Sequence, residues 1–332
     1  MPTLALDAAA LEKLVSAAVA APSIHNSQPW RFHLQPATSI LEVRADRTRA
    51  VPAADPQGRA LHISVGTAVL NLRVAARRLG WAPEVRLLPD PAEPDLLAAV
   101  RLDGVAAASV PDTEKLYRAI FHRHSIRTPF TGEPVPSAVL DELATAARAE
   151  DATLHLPDQA ETARLLHLTA EAERRNTTDD AQRTESRSWI HTGDAPPYGI
   201  PLAALGPQDL AGHLPMRDFA ALRAAEHQAP ARFEREPRIA VLTTEHDSPE
   251  DWLRAGLALE HVLLAATVHG VRASLLHQAM EWPYLRWEAR DPHQGPGHAQ
   301  MLIRLGYGPE GAPTPRLAVG AVLDRGEPTP DA

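Results

Sequence analysis

The chain contains no cysteine. That absence excludes disulfides, thiol catalysis, iron–sulfur ligation and cysteine-type zinc sites, and it agrees with a reducing interior. Lysine is nearly absent as well: Lys13 and Lys115 are the only two, so the positive charge is almost entirely arginine. Positive charge is not in excess either. The 332 residues carry a net charge of −9 with a pI near 6.0, which argues against nucleic acid or an anionic membrane surface as a partner. Long apolar runs are missing too. The most apolar helical stretch, Ala255 to Leu276, is interrupted by Glu260, His261, His269 and Arg272, and it reads as a core helix rather than a membrane span. The opening MPTLALDAAALEKLV has no basic flank and carries acids inside its apolar stretch, so no secretory signal is predicted and the expected location is the cytoplasm.

Several catalytic signatures are also lacking. Without a G-x-S-x-G elbow, Ser23 and Ser125 have no setting for a hydrolase nucleophile. The sixteen histidines include no H-E-x-x-H and no compact His/carboxylate set. Pairs such as His122/His124 and His293/His298 therefore read as surface or capping residues, and no metal is expected. Gly306-Tyr-Gly-Pro-Glu-Gly311 spells G-x-G-x-x-G, but APTPR follows it where a dinucleotide loop would open a helix.

What the chain does contain is a repeat. Its 44% hydrophobic and 23% charged composition suits a globular protein with a real core. Gly66 to Gly80 can be laid on Gly256 to Gly270 at an offset of 190, with Gly, Ala, Ala, Ala and Gly coinciding at 66/256, 68/258, 75/265, 76/266 and 80/270. Both segments have apolar residues at helical spacing and a glycine where a helix would be capped, and both lead into a short extended piece, Pro83 to Leu88 and Ala273 to Leu276. Upstream, LEKLVSAAVA from Leu11 matches LDELATAARA from Leu140 at an offset of 129. The order is the same, which predicts an internal duplication: a first copy over 1–110 and a second over 111–332. The offsets differ by 61, so the second copy carries an insertion of about that length, placed around 173–235. Loops this long are uncommon unless functional or disordered. Trp189, Tyr198, Leu202, Leu205, Met216 and Phe219 predict a segment that packs down as a lid.

Each copy lacks a polar cluster that the other has. The first carries Ala21-Pro-Ser-Ile-His-Asn-Ser-Gln-Pro-Trp30 after its first helix, where the second has RAEDATLHLP. The second carries Phe121-His-Arg-His-Ser-Ile-Arg-Thr-Pro-Phe130, where the first has only MPTLALD. On an extended segment Arg123, Ser125 and Arg127 share one face, offering two donor forks and a hydroxyl suited to phosphate, with His124 on the other face. Arg316 stands near the C-terminus, ahead of a strand-like Leu317 to Leu323. The aromatic group Trp282-Pro-Tyr-Leu-Arg-Trp287 reads first as a core or interface anchor, and second as a wall to a ligand.

In these segments, together with the Gly256 to Gly270 helix and Leu305-Gly-Tyr-Gly-Pro, the chain resembles the nitroreductase-like flavoproteins. Two fused copies resemble most the Acg-type members, in which one polypeptide stands in for the usual intertwined dimer. The resemblance implies an α+β nitroreductase-like fold whose two tandem, diverged copies form an intramolecular pseudo-dimer. It implies FMN as cofactor. Arg123, Ser125 and Arg316 would hold the phosphate, with His124 in the same segment, and Arg127 would lie near N1 and O2 of the ring. Pro22, Ser23 and Asn26 would reach the flavin from the first copy, with Gln28 either joining them or ordering the loop. Leu276, His277 and Gln278 would lie at the ring edge. One complete motif set implies one FMN per chain, a monomer by internal pairing, NAD(P)H as a reductant and a small nitro or quinone acceptor. A protein that stores FMN beneath its lid is the alternative. No side chain is assigned a catalytic role.

Overall fold

In the computed structural model of the chain, residues 6–104, 111–191, 196–219, 228–290 and 297–324 are described. Helix α1 (Ala8–Val19) opens the fold, capped by Asp7, whose carboxylate accepts from the Ala10 N–H at 2.7 Å. Strands β1 (Trp30–Gln35) and β2 (Ile40–Ala45) lead to the long α2 (Arg59–Arg78), then to β3 (Glu84–Leu87) and β4 (Leu96–Arg101). After α3 (Pro111–His122) come α4 (Ser137–Arg148) and β5 (Thr153–His155). An excursion follows, holding α5 (Gln159–Thr178), α6 (Asp180–Ser188), β6 (Ile190–His191) and β7 (Ile200–Pro201). The chain then runs through β8 (Arg238–Thr244), α7 (Pro249–Val268), β9 (Arg272–Leu276), α8 (Pro283–Glu288), β10 (His298–Gly306), α9 (Val319–Val322) and β11 (Leu323–Asp324). A capping box between Ser248 and Asp251, with Pro249 at the first position, starts α7.

The halves correspond element by element. Helix α4 starts and ends 129 residues after α1, and α7 starts and ends 190 residues after α2. Gly80 and Gly270 both follow their helices with positive φ, +97° and +70°, where a side chain would be strained. The first sheet runs β11-β1-β2-β4-β3 and the second β5-β8-β10-β9. The order β1-β2-β4-β3 thus recurs as β5-β8-β10-β9, with all of these pairings antiparallel. Strand β11 crosses from the second half to pair in parallel with β1 of the first.

The halves differ most in one connection. Residues 36–39 join β1 to β2, whereas 156–237 join β5 to β8. The insertion expected at 173–235 lies within this longer excursion, because α5 already belongs to it. Its segments 192–195 and 220–227 lie outside the described residues, as does the stretch 105–110 that precedes the expected copy boundary.

Helices α2 and α7 cross where the repeat places equivalent glycines. A Cβ on Gly66 would stand 2.3 Å from the Leu253 carbonyl oxygen, and one on Gly256 would stand 2.1 Å from that of Ile63. Each glycine also lies against the other's Cα, so this is a backbone-to-backbone contact that no rotamer change can relieve. The crossing joins the two cores: Leu253, Leu257 and Leu264 of α7 pack into the first, and Ile63 of α2 packs into the second. Gly256→Ala is expected to force the helices apart and to destabilise the chain by about 3 kcal/mol, the upper end for overpacking, as read from the urea midpoint. An unchanged midpoint would mean that the crossing is looser than drawn. Among the described residues no helix is long and apolar enough to cross a membrane.

Candidate functional site

The stretch after α1 forms a strained knot. His25, Asn26 and Gln28 all have φ near +50°, which non-glycine residues adopt only when their surroundings fix them. The fixing bonds are visible. Ser23 Oγ accepts from the Gln28 N–H at 2.9 Å, and the Ile24 N–H donates to Ser64 Oγ of α2 at 3.1 Å. Asn26 Nδ2 donates to the carbonyls of Gly199 (2.8 Å) and Pro315 (2.9 Å), while its Oδ1 accepts from Arg316 at 2.9 Å. Gln28 donates to the Pro197 carbonyl at 2.9 Å and accepts from the Leu317 N–H at 2.9 Å. Three distant segments, the first half, the excursion and the C-terminal segment, are tied together here.

This knot borders two adjoining hollows that share Pro22, Ser23, Ser125, Arg127 and Ile200. One is the arginine end, lined also by Asn26, Arg123, His124, Thr314 and Arg316. The segment bearing Arg123 to Arg127 is held against β9 by a bridge from Ser125 to Ala273 and by the Ile126 N–H donating to the Ala273 carbonyl at 2.8 Å. Arg123 is buried and donates to the Ala20 carbonyl at 3.2 Å, yet its Nε and Nη1 have no hydrogen-bond partner. Arg316 donates to Asn26, Thr314, Pro315 and Ala20, and its Nε is likewise unpartnered. Burial, then the Arg123 charge, brings Arg316 down to about 9. A buried and a half-buried guanidinium beside each other, with donors to spare, fit a dianionic oxyanion.

The other hollow is a small cleft of about 100 Å³. Ile63, Leu259, Leu275 and Met301 give it apolar walls, and Arg127, Arg217, His277 and Gln278 supply its polar groups. Arg127 donates to the Ala204 carbonyl at 2.9 Å and is lowered to about 10 by burial and by Arg217. Arg217 grips Glu281 with two bonds of 2.6 and 2.8 Å. Burial pushes Glu281 up, but Arg217 and His277 outweigh it and hold the carboxylate down at about 2. His277 stands between Glu281 (3.0 Å from Nδ1) and Arg59 (2.8 Å from Nε2). Because arginine can only donate, Nε2 is assigned as the acceptor and Nδ1–H as the donor, which defines a neutral tautomer. Burial lowers His277, consistent with that form.

The expected site residues largely converge on this cleft: Pro22, Ser23, Asn26, Arg123, His124, Ser125, Arg127, His277, Gln278 and Arg316 all line it. Leu276 does not. Strand alternation turns Leu275 toward the cleft and buries Leu276 behind the sheet with Leu165, Met280 and Leu302. Gln28 is fully buried in the knot, the loop-ordering alternative raised for it. Asn26 reaches the rim, but its amide is fully committed to the protein, so it acts by holding Arg316 and the excursion in place. Trp282 bonds to Asn176 and Trp287 is 64% exposed, so that aromatic group anchors α5 and the surface rather than walling the cleft. In the G-x-G-x-x-G segment, Cβ atoms on Gly306 and Gly311 would strike Phe130 and Ile126; these glycines admit packing.

Several lining residues carry no motif signal. Ile200, Arg217 and Phe219 reach the cleft from the excursion, and Phe219 packs with Ile200, Leu202 and Leu205 in a small apolar cluster. Trp189 and Tyr198 meet edge to face at 5.9 Å, and Met216 joins the cluster around Met280. Phe219 was among the residues expected to pack the insertion down as a lid, whereas Arg217 carried no sequence signal. His25 lay inside the quoted stretch. Its ring meets Phe219 at 5.9 Å, both its nitrogens lack partners, and burial with the nearby Arg217 charge lowers it to about 3.

With this geometry in hand, comparison with known proteins is informative. A profile of the nitroreductase family matches residues 120–307. The chain belongs to the nitroreductase family. It is 31% identical over 325 residues to the Mycobacterium tuberculosis protein named "Putative NAD(P)H nitroreductase Rv3131", covering 96% of this chain and 92% of that one. It is 27% identical over 312 residues to the one named "Putative NAD(P)H nitroreductase acg", covering 93% and 92%. A solved nitroreductase, NfnB from Mycobacterium smegmatis in complex with NADPH, aligns with a TM-score of 0.41 at 14% identity, covering 64% of this chain and 99% of that one. The family match makes the α+β architecture described above nitroreductase-like.

Proposed function

We propose that the chain is an FMN-binding protein of the nitroreductase family that holds one FMN per chain between two diverged copies, 1–110 and 111–332. The observation that carries this reading is the cleft itself: unpartnered donors of Arg123 and Arg316 at one end, and an apolar hollow with Arg127 at the other. A phosphate suits the first and a flat ring system the second. When bound, FMN supplies hydride chemistry between NAD(P)H and a nitro or quinone acceptor. The protein's part is to grip, orient and exclude water, with the Arg127 and Arg217 charges favouring an electron-rich ring.

The repeated sheet order, the matching helix bounds and the meeting of Gly66 with Gly256 support the duplication. A second FMN is not expected. In the repeat, Glu150 corresponds to Ala21 and His261 to Asn71. At that related position Glu150 accepts from His261 at 2.9 Å and pairs with Arg73, and the first copy has no counterpart of the Arg123-to-Arg127 segment to hold a second phosphate.

The lid favours a second reading, storage of FMN without turnover. Ile200, Arg217 and Phe219 cover the cleft, and the excursion is bonded to the first half through Asn26, Gln28 and the Glu185 carboxylate, which accepts from the Ala53 and Ala54 N–H groups at 2.9 Å. Anaerobic titration of the FMN-loaded protein with NAD(P)H separates the two. Bleaching of the flavin band near stoichiometry, followed by turnover with a quinone, is expected of the reductase. A flavin reduced by dithionite but inert to NAD(P)H would establish storage instead.

A further inference from the structure

The arginine end of the cleft rests on a group that no motif marks. Glu260 lies mid-way along α7, is fully buried, and has no well-aligned hydrogen bond on either carboxylate oxygen, the Asn71 amide of α2 being its one polar neighbour that acts as a donor. Arg123 Nε stands 3.4 Å from its Oε1, close enough for an ion pair but without hydrogen-bond geometry. The charged groups that act on Glu260 are Arg123, at the end of α3, and Arg316 of the C-terminal segment; α2 contributes the neutral amide of Asn71. His124 flanks Arg123 and is lowered by burial and by the two arginine charges, so it is neutral at pH 7 and above.

A buried carboxylate with so little hydrogen bonding is unfavourable as an anion unless cations compensate it. Arg123 and Arg316 do this in the free protein, and even so burial pushes Glu260 up to about 7. A phosphate dianion gripped by the same two arginines competes for their charge and adds negative charge beside the carboxylate. We infer that Glu260 positions Arg123 for the phosphate of FMN and takes up one proton from solvent when that phosphate binds. In that step one O–H bond forms on Glu260 at the expense of a buffer or water proton, and no electron moves. The inference rests on the FMN reading above.

The sign follows from linkage. The free protein loses the Glu260 proton as pH rises through neutrality and the FMN complex keeps it, so binding weakens with rising pH, by at most about tenfold per unit. The phosphate of FMN, with its second proton leaving near pH 6, is already a dianion across pH 7–9 and does not contribute to that slope.

Isothermal titration of the wild-type protein with FMN at pH 8, in two buffers of different ionisation enthalpy, should show uptake approaching one proton per FMN. Its affinity should fall by several tens-fold, about 50-fold at most, between pH 7 and pH 9. Glu260→Gln, which imitates the protonated side chain, should bind FMN with a flat profile over that range. Glu260→Ala, which leaves Arg123 unsupported, should bind more weakly than Glu260→Gln at pH 7. FMN binding without proton uptake, or a Glu260→Gln profile as steep as the wild type, would overturn the protonation. Equal affinities of the Ala and Gln variants would overturn the positioning role. A wild-type protein that binds no FMN at any pH would remove the FMN reading itself, and this inference with it.

Discussion

Replacing Arg123 with alanine is expected to weaken FMN binding by about 1.5–3 kcal/mol, roughly tenfold to a little over a hundredfold. Arg123 is 4% exposed, and among the described residues its polar partners are the Ala20 carbonyl and the poorly aligned Glu260, so two of its donors await an acceptor. A phosphate would receive charge-assisted bonds there in a site already stripped of water, where such bonds are strongest. Lysine at the same position keeps the charge but loses the two-pronged donor geometry, and an intermediate loss is expected. Quenching of flavin fluorescence at fixed ionic strength measures both variants, with circular dichroism as a check on folding. Affinity unchanged in the alanine variant would move the phosphate away from this end of the cleft.

The second large effect concerns the lid. Arg217→Ala leaves Glu281 buried beside His277 and Asn176 with its bidentate partner gone, and the loss of one member of a buried ion pair costs about 3–5 kcal/mol. Because Arg217 comes from the excursion and Glu281 from the segment after β9, the same change also loosens the lid from the cleft. Faster proteolysis within 196–219 and a lower Tm are both expected. Their pH dependence has a definite sign. Glu281 is held below its ordinary value in the folded protein, so the pair's contribution is present above the unfolded carboxylate range near pH 4.5 and is lost as pH falls toward about 2. The stability gap between wild type and variant should therefore narrow on acidification through that window. A gap that is constant down to pH 3 would show that Arg217 acts by packing on Phe219 rather than through Glu281.

The parts of the fold governed by local chemistry were readable in advance. Helical spacing with terminal glycines located α2 and α7, and the offsets of 129 and 190 reappear as the bounds of two helix pairs. Most of the cleft was legible for the same reason: Ser23, Asn26, Arg123, Ser125, Arg127 and Arg316 stand in compact motifs whose residue types announce their chemistry. Contacts made by folding rather than by sequence neighbourhood were not legible. Arg217 and Phe219 arrive from a segment without periodicity, and only the lid's docking gives them a role. Glu260 sits in an apolar helical pattern where one acid reads as an interruption, and its partner Arg123 lies far away in the chain. The side chain of Leu276 faces away from the cleft and that of Leu275 toward it, because one residue along a strand exchanges the two faces of a sheet. Asn26 lies at the rim of the cleft, and its bonds to Gly199, Pro315 and Arg316 are all long-range, beyond the reach of local sequence.

The most direct test of the central claim is the ratio of flavin to protein after reconstitution with excess FMN and removal of the unbound fraction. The unpartnered donors of Arg123 and Arg316 at one end of the cleft, and the absence of such an arginine segment from the first copy, predict one FMN per chain. A ratio of two would mean that the counterpart site is open, and a colourless protein would mean that the cleft does not hold FMN.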